Sequence, residues 1–97
     1  MQTALITGAS SGIGKVLAQA MAERGINLVL VARSETVLKA LAADLVQHHG
    51  VRADVIVQDL TAADAAQTVR AAVEEQGIDV DILVNNAGFG EYGAFSD

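Results

Sequence analysis

Cysteine is absent from the 97-residue sequence, which excludes a disulfide framework and a thiolate metal site. Aromatic residues make up only 3% of the chain although 52% of it is hydrophobic, so a core must be built mainly from Ala, Val, Leu and Ile. Branched aliphatic residues of this kind are typical of parallel strands that are buried between helices. The composition therefore favours one small α/β domain.

Positive charge is also scarce, because 6 Lys and Arg face 12 Asp and Glu and the net charge is −6. The chain has no basic run, so its charge does not favour nucleic-acid binding. No apolar stretch approaches the ~18 residues that a membrane span needs. The N-terminus lacks the charged and long apolar regions of a signal peptide. We therefore expect a cytoplasmic protein that binds neither nucleic acid nor a membrane.

Four aliphatic segments alternate with three segments whose apolar residues recur at helical spacing. This alternation predicts a βαβαβαβ chain with a parallel sheet, right-handed crossovers and helices on both faces. The expected fold is Rossmann-like with strand order 3-2-1-4, and it is incomplete after the fourth strand. The predicted strands cover residues 3–7, 27–32, 53–58 and 81–85, and the predicted helices begin near residues 13, 34 and 61.

The helix boundaries rest on glycines and on capping residues. Gly25, Gly50 and Gly77 are expected to end the three helices. Ser34 is expected to cap the second helix, and Thr61 is expected to cap the third, with Asp64 three residues later. The apolar positions that predict the first helix are Val16, Leu17, Ala20 and Met21.

A glycine-rich turn, Thr7-Gly8-Ala9-Ser10-Ser11-Gly12-Ile13-Gly14, joins the first strand to the first helix. Such a turn lets the backbone approach a pyrophosphate at the positive end of a helix. Gly8 would allow the tight turn, Gly12 would leave room for the phosphates, and Gly14 would permit close packing of helix on strand. These glycines could also be purely structural.

A P-loop is the competing interpretation, because Gly14-Lys15 resembles the end of that motif. The motif also requires a glycine five residues before Gly14 and a Ser or Thr after Lys15. Ala9 and Val16 occupy those positions, so the P-loop is rejected and Lys15 is interpreted as a solvated residue.

Two later segments complete a pattern that resembles the short-chain dehydrogenase/reductase family. Asp59-Leu60 follows the third strand, and Asn85-Asn86-Ala87-Gly88 follows the fourth. All three segments stand at the carboxyl ends of predicted strands, where open α/β sheets bind ligands. The resemblance spans essentially the whole chain. With the two residues after the second strand, it implies a cofactor site of Gly8, Ser10, Ser11, Gly12, Ile13, Gly14, Arg33, Ser34, Asp59, Leu60, Asn86, Ala87 and Gly88.

The resemblance implies roles for the residues after the third and fourth strands, and some of these residues also have a structural interpretation. By the resemblance, Asp59 accepts a hydrogen bond from the adenine amino group, and Leu60 flanks the ring. Asn86, Ala87 and Gly88 bring the backbone close to the ribose. Asp59 could instead be a cap that leads into the next helix, and the two asparagines could simply tie strand ends together.

The end of the second strand distinguishes NAD from NADP. An NAD site places an acid there for the ribose 2′-hydroxyl, whereas an arginine suits the 2′-phosphate. Here Ala32 stands where the family has its acid, and Arg33 and Ser34 follow. The sequence therefore favours NADP(H), although Arg33 could be an ordinary surface arginine.

The histidines do not indicate a metal site. His48 and His49 are adjacent on a helix, so their side chains diverge by about 100° and cannot both face one ion. We expect no metal.

No residue of the chain is assigned a catalytic role. The resemblance calls for a Ser, a Tyr and a Lys four residues after the Tyr, yet Ser96 follows the single tyrosine, Tyr92, at that spacing, and the only lysines are Lys15 and Lys39. We interpret residues 1–97 as the N-terminal part of one dinucleotide-binding domain. The parent is expected to be a homo-oligomeric NADP-dependent oxidoreductase that interconverts a small-molecule carbonyl and an alcohol, with its catalytic residues after residue 97.

Two other functions compete with this reading. One is a stand-alone nucleotide-binding or interaction module without catalytic activity. Methyl transfer from S-adenosylmethionine is weaker, because such sites usually place an acid after the second strand, where this chain has Ala32-Arg33.

Overall fold

The computed structural model describes residues 2–59 and 61–86. Strands and helices alternate along these residues, and the strands form one parallel sheet in the order β3-β2-β1-β4. The predicted Rossmann-like topology is therefore confirmed, with element boundaries that differ by about one residue except at the start of the third helix. The elements are β1 (Thr3–Thr7), α1 (Gly12–Glu23), β2 (Asn27–Ala32), α2 (Glu35–His49), β3 (Ala53–Val57), α3 (Ala65–Glu75) and β4 (Ile82–Asn85).

The two faces of the sheet bury alternate side chains of each strand, as the two-residue period of a strand requires. Helices α1 and α2 cover the face that carries Ile6 and Leu30, whereas α3 covers the face that carries Leu5 and Val29. These four side chains are fully buried. Burying an aliphatic side chain of this size contributes about 1.5–3 kcal/mol, so the central strands hold the sheet edge in place.

The face that helix α1 turns to the sheet matches the predicted one only in part. Leu17 and Met21 are half-buried and pack against the core, as predicted, whereas the other two predicted positions do not. The buried residues of α1 are Gly14, Ala18 and Ala22, whereas Val16 is 63% exposed and Ala20 is exposed as well. The physical reason is that Gly14 lies against the backbone of the glycine turn, which fixes the rotation of the helix about its axis. The residues that follow Gly14 at intervals of four are therefore buried with it. Val16, which is larger, lies about 200° from Gly14 around the helix axis.

The third helix begins later than the sequence predicts, and Thr61 does not cap it. The first helical residue is Ala65, and Asp64 is the N-cap without a side-chain hydrogen bond. Thr61 donates from both its backbone N and its Oγ1 to Oδ1 of Asp59, over 3.0 and 2.7 Å. Thr61 lies three residues before this N-cap, so it does not cap α3, and residues 61–64 form turns before the helix starts.

The other helix ends agree with the sequence. Gly25, Gly50 and Gly77 all have positive φ, from 66 to 77°, as expected of glycines that end helices. Ser34 occupies the N-cap of α2, but its side chain makes no capping hydrogen bond.

Strand β4 pairs with β1 and lies at an edge of the sheet among the residues described. The homo-oligomer that we expect from the sequence stays a prediction.

None of the helices in residues 2–59 and 61–86 is long and apolar enough to cross a membrane.

Candidate cofactor site

The carboxyl ends of the four parallel strands meet along one edge of the sheet. Thr7 of β1 lies opposite Val31 of β2 and Asn85 of β4, and Ala32 of β2 lies opposite Val57 of β3. The glycine turn, the residues after β2 and the residues after β3 and β4 therefore leave the sheet at the same edge. This is where open α/β sheets bind ligands.

The glycine turn folds back on itself at the end of β1. Gly8 has a φ of 66°, a conformation that favours glycine, and the N–H of Ser11 donates to the Gly8 carbonyl over 3.1 Å. A Cβ on Gly14 would lie 2.8 Å from the Cα of Ala9. The roles predicted for Gly8 in the turn and for Gly14 in packing are both confirmed.

Ser11 is the N-cap of α1 and the centre of a hydrogen-bond network. Its Oγ accepts from the N–H of Gly14 over 3.0 Å and donates to the carbonyl of Gly8 over 2.9 Å. Nδ2 of Asn86 donates to the same Oγ over 2.9 Å and to the Gly8 carbonyl over 3.1 Å. One donated and two accepted hydrogen bonds use the full capacity of a hydroxyl. Ser11 therefore holds the turn in place.

The asparagines tie strand ends together, as one interpretation of the sequence expected. Oγ1 of Thr7, which is fully buried, donates to Oδ1 of Asn85 over 3.0 Å. Asn86 extends the connection from β4 to the glycine turn. Sequence reasoning did not find the cap made by Ser11, although a serine directly before a helical segment is the ordinary signal for it.

The start of α1 leaves backbone donors for a ligand. Among the described residues, the N–H of Gly14 is satisfied by Ser11 Oγ and that of Lys15 by the Ser11 carbonyl. The N–H groups of Gly12 and Ile13 have no acceptor within the helix, as at every helix start. A Cβ added to Gly12 would meet nothing within 4 Å, and the side chain of Ile13 is 68% exposed. This open surface with free N–H groups fits an anion.

The residues after β2 carry a positive charge that forms no ion pair among the described residues. Ala32 is 3% exposed, whereas Arg33 is exposed and Ser34 is half-buried. Within residues 2–59 and 61–86, Arg33 makes no hydrogen bond or ion pair. In the part of the chain that the structure describes, neither side chain is held by a hydrogen bond or an ion pair, although Arg33 lies close enough to Asp59 to act on it electrostatically.

Asp59 lies exposed after β3 and is held by Thr61. Hydrogen bonds from the Thr61 hydroxyl and, next in size, from the Thr61 backbone N–H lower the pKa of the Asp59 carboxyl. Burial opposes them, and the charge of Arg33 lowers the pKa by a still smaller amount. Asp59 is therefore ionised at neutral pH. Its Oδ1 accepts both hydrogen bonds from Thr61, and Oδ2 accepts none from the residues that the structure describes.

Leu60, Ala87 and Gly88, which the sequence places in the site, lie outside the described residues. Among the residues that are described, no group of three or more acidic or histidine side chains is arranged to hold a metal ion. His48 contacts Asp44, its neighbour on α2, over 2.9 Å.

The family model for short chain dehydrogenases matches residues 2–97, essentially the whole chain. The chain belongs to the short-chain dehydrogenase family. A very-long-chain 3-oxoacyl-CoA reductase of Neurospora crassa is 42% identical over 86 residues, which cover 88% of this chain and 26% of the relative. A human protein named inactive hydroxysteroid dehydrogenase-like protein 1 is 38% identical over the same shares. The chain thus spans about a quarter of the length of the curated relatives it matches.

Solved structures of family members share the fold. The L-sorbose reductase of Gluconobacter frateurii, in complex with NADPH and L-sorbose, is 39% identical with a TM-score of 0.82, over 90% of this chain and 33% of that one. A short-chain dehydrogenase of Sphingobium yanoikuyae in complex with NADPH is 46% identical with a TM-score of 0.78, over 91% and 34%.

Proposed function

We propose that this chain is the NADP(H)-binding portion of an oxidoreductase that interconverts a carbonyl and an alcohol on a small molecule. The observation that carries the choice of cofactor is the end of β2. The buried Ala32 offers no carboxylate to a ribose 2′-hydroxyl, and the exposed Arg33 has no ion-pair partner among the described residues. A free guanidinium and the Ser34 hydroxyl suit a 2′-phosphate.

The proposed place of the pyrophosphate is the start of α1. The open space at Gly12 and the N–H groups of Gly12 and Ile13 fit a bridging diphosphate group there. In this proposal Gly8 and Ser11 shape the turn, and Asn86 holds it against β4. Ser10 lies in the same turn and is proposed as a further contact.

The proposed adenine contact is Asp59. Its ionised carboxylate is exposed, and Oδ2 is available to accept from the adenine amino group while Thr61 holds Oδ1. The positions of Leu60, Ala87 and Gly88 in the family motifs complete the proposed site, with Leu60 beside the ring and the other two near the ribose.

When bound, NADP(H) supplies or accepts a hydride. The residues of this chain bind and orient the dinucleotide, and we assign none of them to proton transfer. Support for reductase chemistry comes from relatives that are named as reductases and from structures that hold NADPH. The carbonyl substrate is not specified by any described residue.

A second function is binding without turnover. It is favoured by one observation, which is that a 38% identical human relative bears the name of an inactive protein. A Tyr-x-x-x-Lys motif encoded downstream in the gene would favour the enzyme, and a natural stop codon after Asp97 would favour the module.

Titration with the two dinucleotides tests the proposed cofactor. We expect the protein to bind NADPH more tightly than NADH by about tenfold or more, because one charge-assisted contact to the 2′-phosphate is worth about 1.5–3 kcal/mol. Equal affinity for NADPH and NADH would contradict the proposal. Binding of either is followed by the fluorescence of the reduced nicotinamide.

A further inference from the structure

The six lysines and arginines of the chain divide into two groups. Three of them form ion pairs with Asp or Glu at distances of 2.8 to 3.2 Å. Among the described residues, the other three make no ion pair, and these are Lys15, Arg24 and Arg33. In a protein with a net charge of −6, cations without an acidic partner need a separate explanation.

The position of Lys15 is electrostatically unfavourable. It lies in the first turn of α1, where the helix dipole repels positive charge, and that turn contains no acidic residue. Arg24 presents no such problem, because it is the C-cap of the same helix, where a cation is favoured. Local conflicts of this kind are typical of functional sites.

The structure places Lys15 across a groove from the start of α2. This groove of about 380 Å³ runs between α1 and α2, and Lys15 shares its lining with Thr36 and Val37 in the first turn of α2. Arg33 and Ser34 directly precede that turn. Side chains on a helix lean towards its N-terminus, which favours an approach of the Lys15 side chain to the edge of the sheet where Arg33 lies.

Glu35 and Asp44 each have a contact with another side chain of α2. Glu35, beside Ser34, forms an ion pair with Lys39 over 3.2 Å. Asp44, further along α2, contacts His48 over 2.9 Å. Asp44 lines the same groove as Lys15, but among the described residues Lys15 forms no ion pair with it or with Glu35.

We infer that Lys15 is a second cation for the 2′-phosphate of the cofactor, acting from α1 across the groove from Arg33 and Ser34. The inference rests on the proposed NADP(H) site and adds a residue that determines specificity. Lys15 faces α2, whereas the proposed pyrophosphate position is the start of α1 itself. The Lys15 charge should therefore raise the affinity for NADPH and leave the affinity for NADH unchanged.

The test compares Lys15→Gln with Lys39→Gln in NADPH and NADH titrations. Both substitutions remove one exposed lysine charge, but Lys39 is paired with Glu35 on α2. We expect Lys15→Gln to weaken NADPH binding about fivefold, the upper end of an exposed ion pair, and to leave NADH binding unchanged. Lys39→Gln should change neither affinity by as much. The melting temperature of ligand-free Lys15→Gln should not fall, because the change removes a charge that the helix dipole repels.

Three outcomes would overturn the inference or its basis. NADPH affinity that is unchanged in Lys15→Gln, with the preference for NADPH intact in the native protein, overturns the role of Lys15 alone. Equal losses for NADPH and NADH place Lys15 at the pyrophosphate and also overturn it. Equal affinity of the native protein for the two dinucleotides overturns the proposed function itself.

Discussion

Asn86, directly after β4, donates a hydrogen bond from Nδ2 to Oγ of Ser11, the N-cap of α1, over 2.9 Å. The same Nδ2 donates to the carbonyl of Gly8 over 3.1 Å. Two segments that are 75 residues apart in sequence therefore hold one turn from both sides. The conformation of the proposed pyrophosphate site depends on β4 as well as on its own glycines.

The two N-cap serines should respond differently to the loss of their hydroxyls. Ser11→Ala is expected to lower the free energy of unfolding by about 1 kcal/mol, the usual cost of removing an N-cap side chain. Ser34→Ala should cost much less stability, because the Ser34 side chain makes no capping bond. Denaturant unfolding of both variants measures this difference in stability. Ser34→Ala should instead weaken NADPH binding, which titration of each variant with NADPH measures.

Asn86→Ala combined with Ser11→Ala completes a double-mutant cycle. Because the two side chains are bonded, their effects on unfolding should be non-additive. Strictly additive losses would show that the 2.9 Å contact contributes nothing to stability.

The topology could be predicted from sequence because its signals are repetitive. The fully buried run Leu28-Val29-Leu30-Val31 has no polar residue, so only a strand covered on both faces suits it. Gly25 and Gly50 then mark where the flanking helices end, as their positive φ angles confirm. Each signal is local, and each agrees with the others.

The errors occurred where a contact distant along the chain, or a competing polar group, decides the conformation. Val16 looks like a core residue by spacing, but the close approach of Gly14 to the backbone of the glycine turn rotates it into solvent. Thr61 looks like a helix cap, but it forms a turn with Asp59, and the helix begins only at Ala65. The link from Asn86 to Ser11 has no local signature at all.

The pKa of Asp59 provides a prediction about pH. The largest cause of its lowered pKa is the hydrogen bond from the Thr61 hydroxyl, and the charge of Arg33 contributes least. Thr61→Val should therefore raise the pKa of Asp59 more than Arg33→Gln does. Carboxyl-carbon NMR titration measures both shifts, and a larger shift in Arg33→Gln would contradict the order.

The sign of the matching stability effect follows from the direction of the shift. A carboxyl whose pKa is lower in the folded protein stabilises the fold above its unfolded pKa, and this contribution disappears as the pH falls through the folded pKa. The ordinary pKa of aspartate is about 3.9, so the stability difference between native protein and Thr61→Val should be constant near neutral pH and should shrink below about pH 4. A difference that grows on acidification would rule out this origin.

Arg33→Ala tests the proposed contact to the 2′-phosphate. Loss of a charge-assisted contact should weaken NADPH binding by about 1.5–3 kcal/mol and leave NADH binding nearly unchanged. Arg24→Ala is the matched control, because Arg24 also lacks an ion pair among the described residues but lies at the far end of α1. Similar losses in both variants would indicate a general effect of net charge.

Substitutions at Gly12 and at Gly14 should affect different properties, although the two residues stand only two positions apart. The first should affect dinucleotide binding, and the second should affect stability. A Cβ at Gly12 projects into space with nothing within 4 Å, and the backbone there is helical, so Gly12→Val should fold. Its branched side chain would occupy the proposed position of the pyrophosphate and should abolish dinucleotide binding. A Cβ at Gly14 would collide with the backbone of Gly8 and Ala9, which a side-chain rotation cannot relieve. Gly14→Ala should therefore cost about 1–3 kcal/mol of stability through overpacking. Circular dichroism melting and cofactor titration on the same samples distinguish the two effects, and undiminished binding by a folded Gly12→Val protein would remove the start of α1 as the phosphate site.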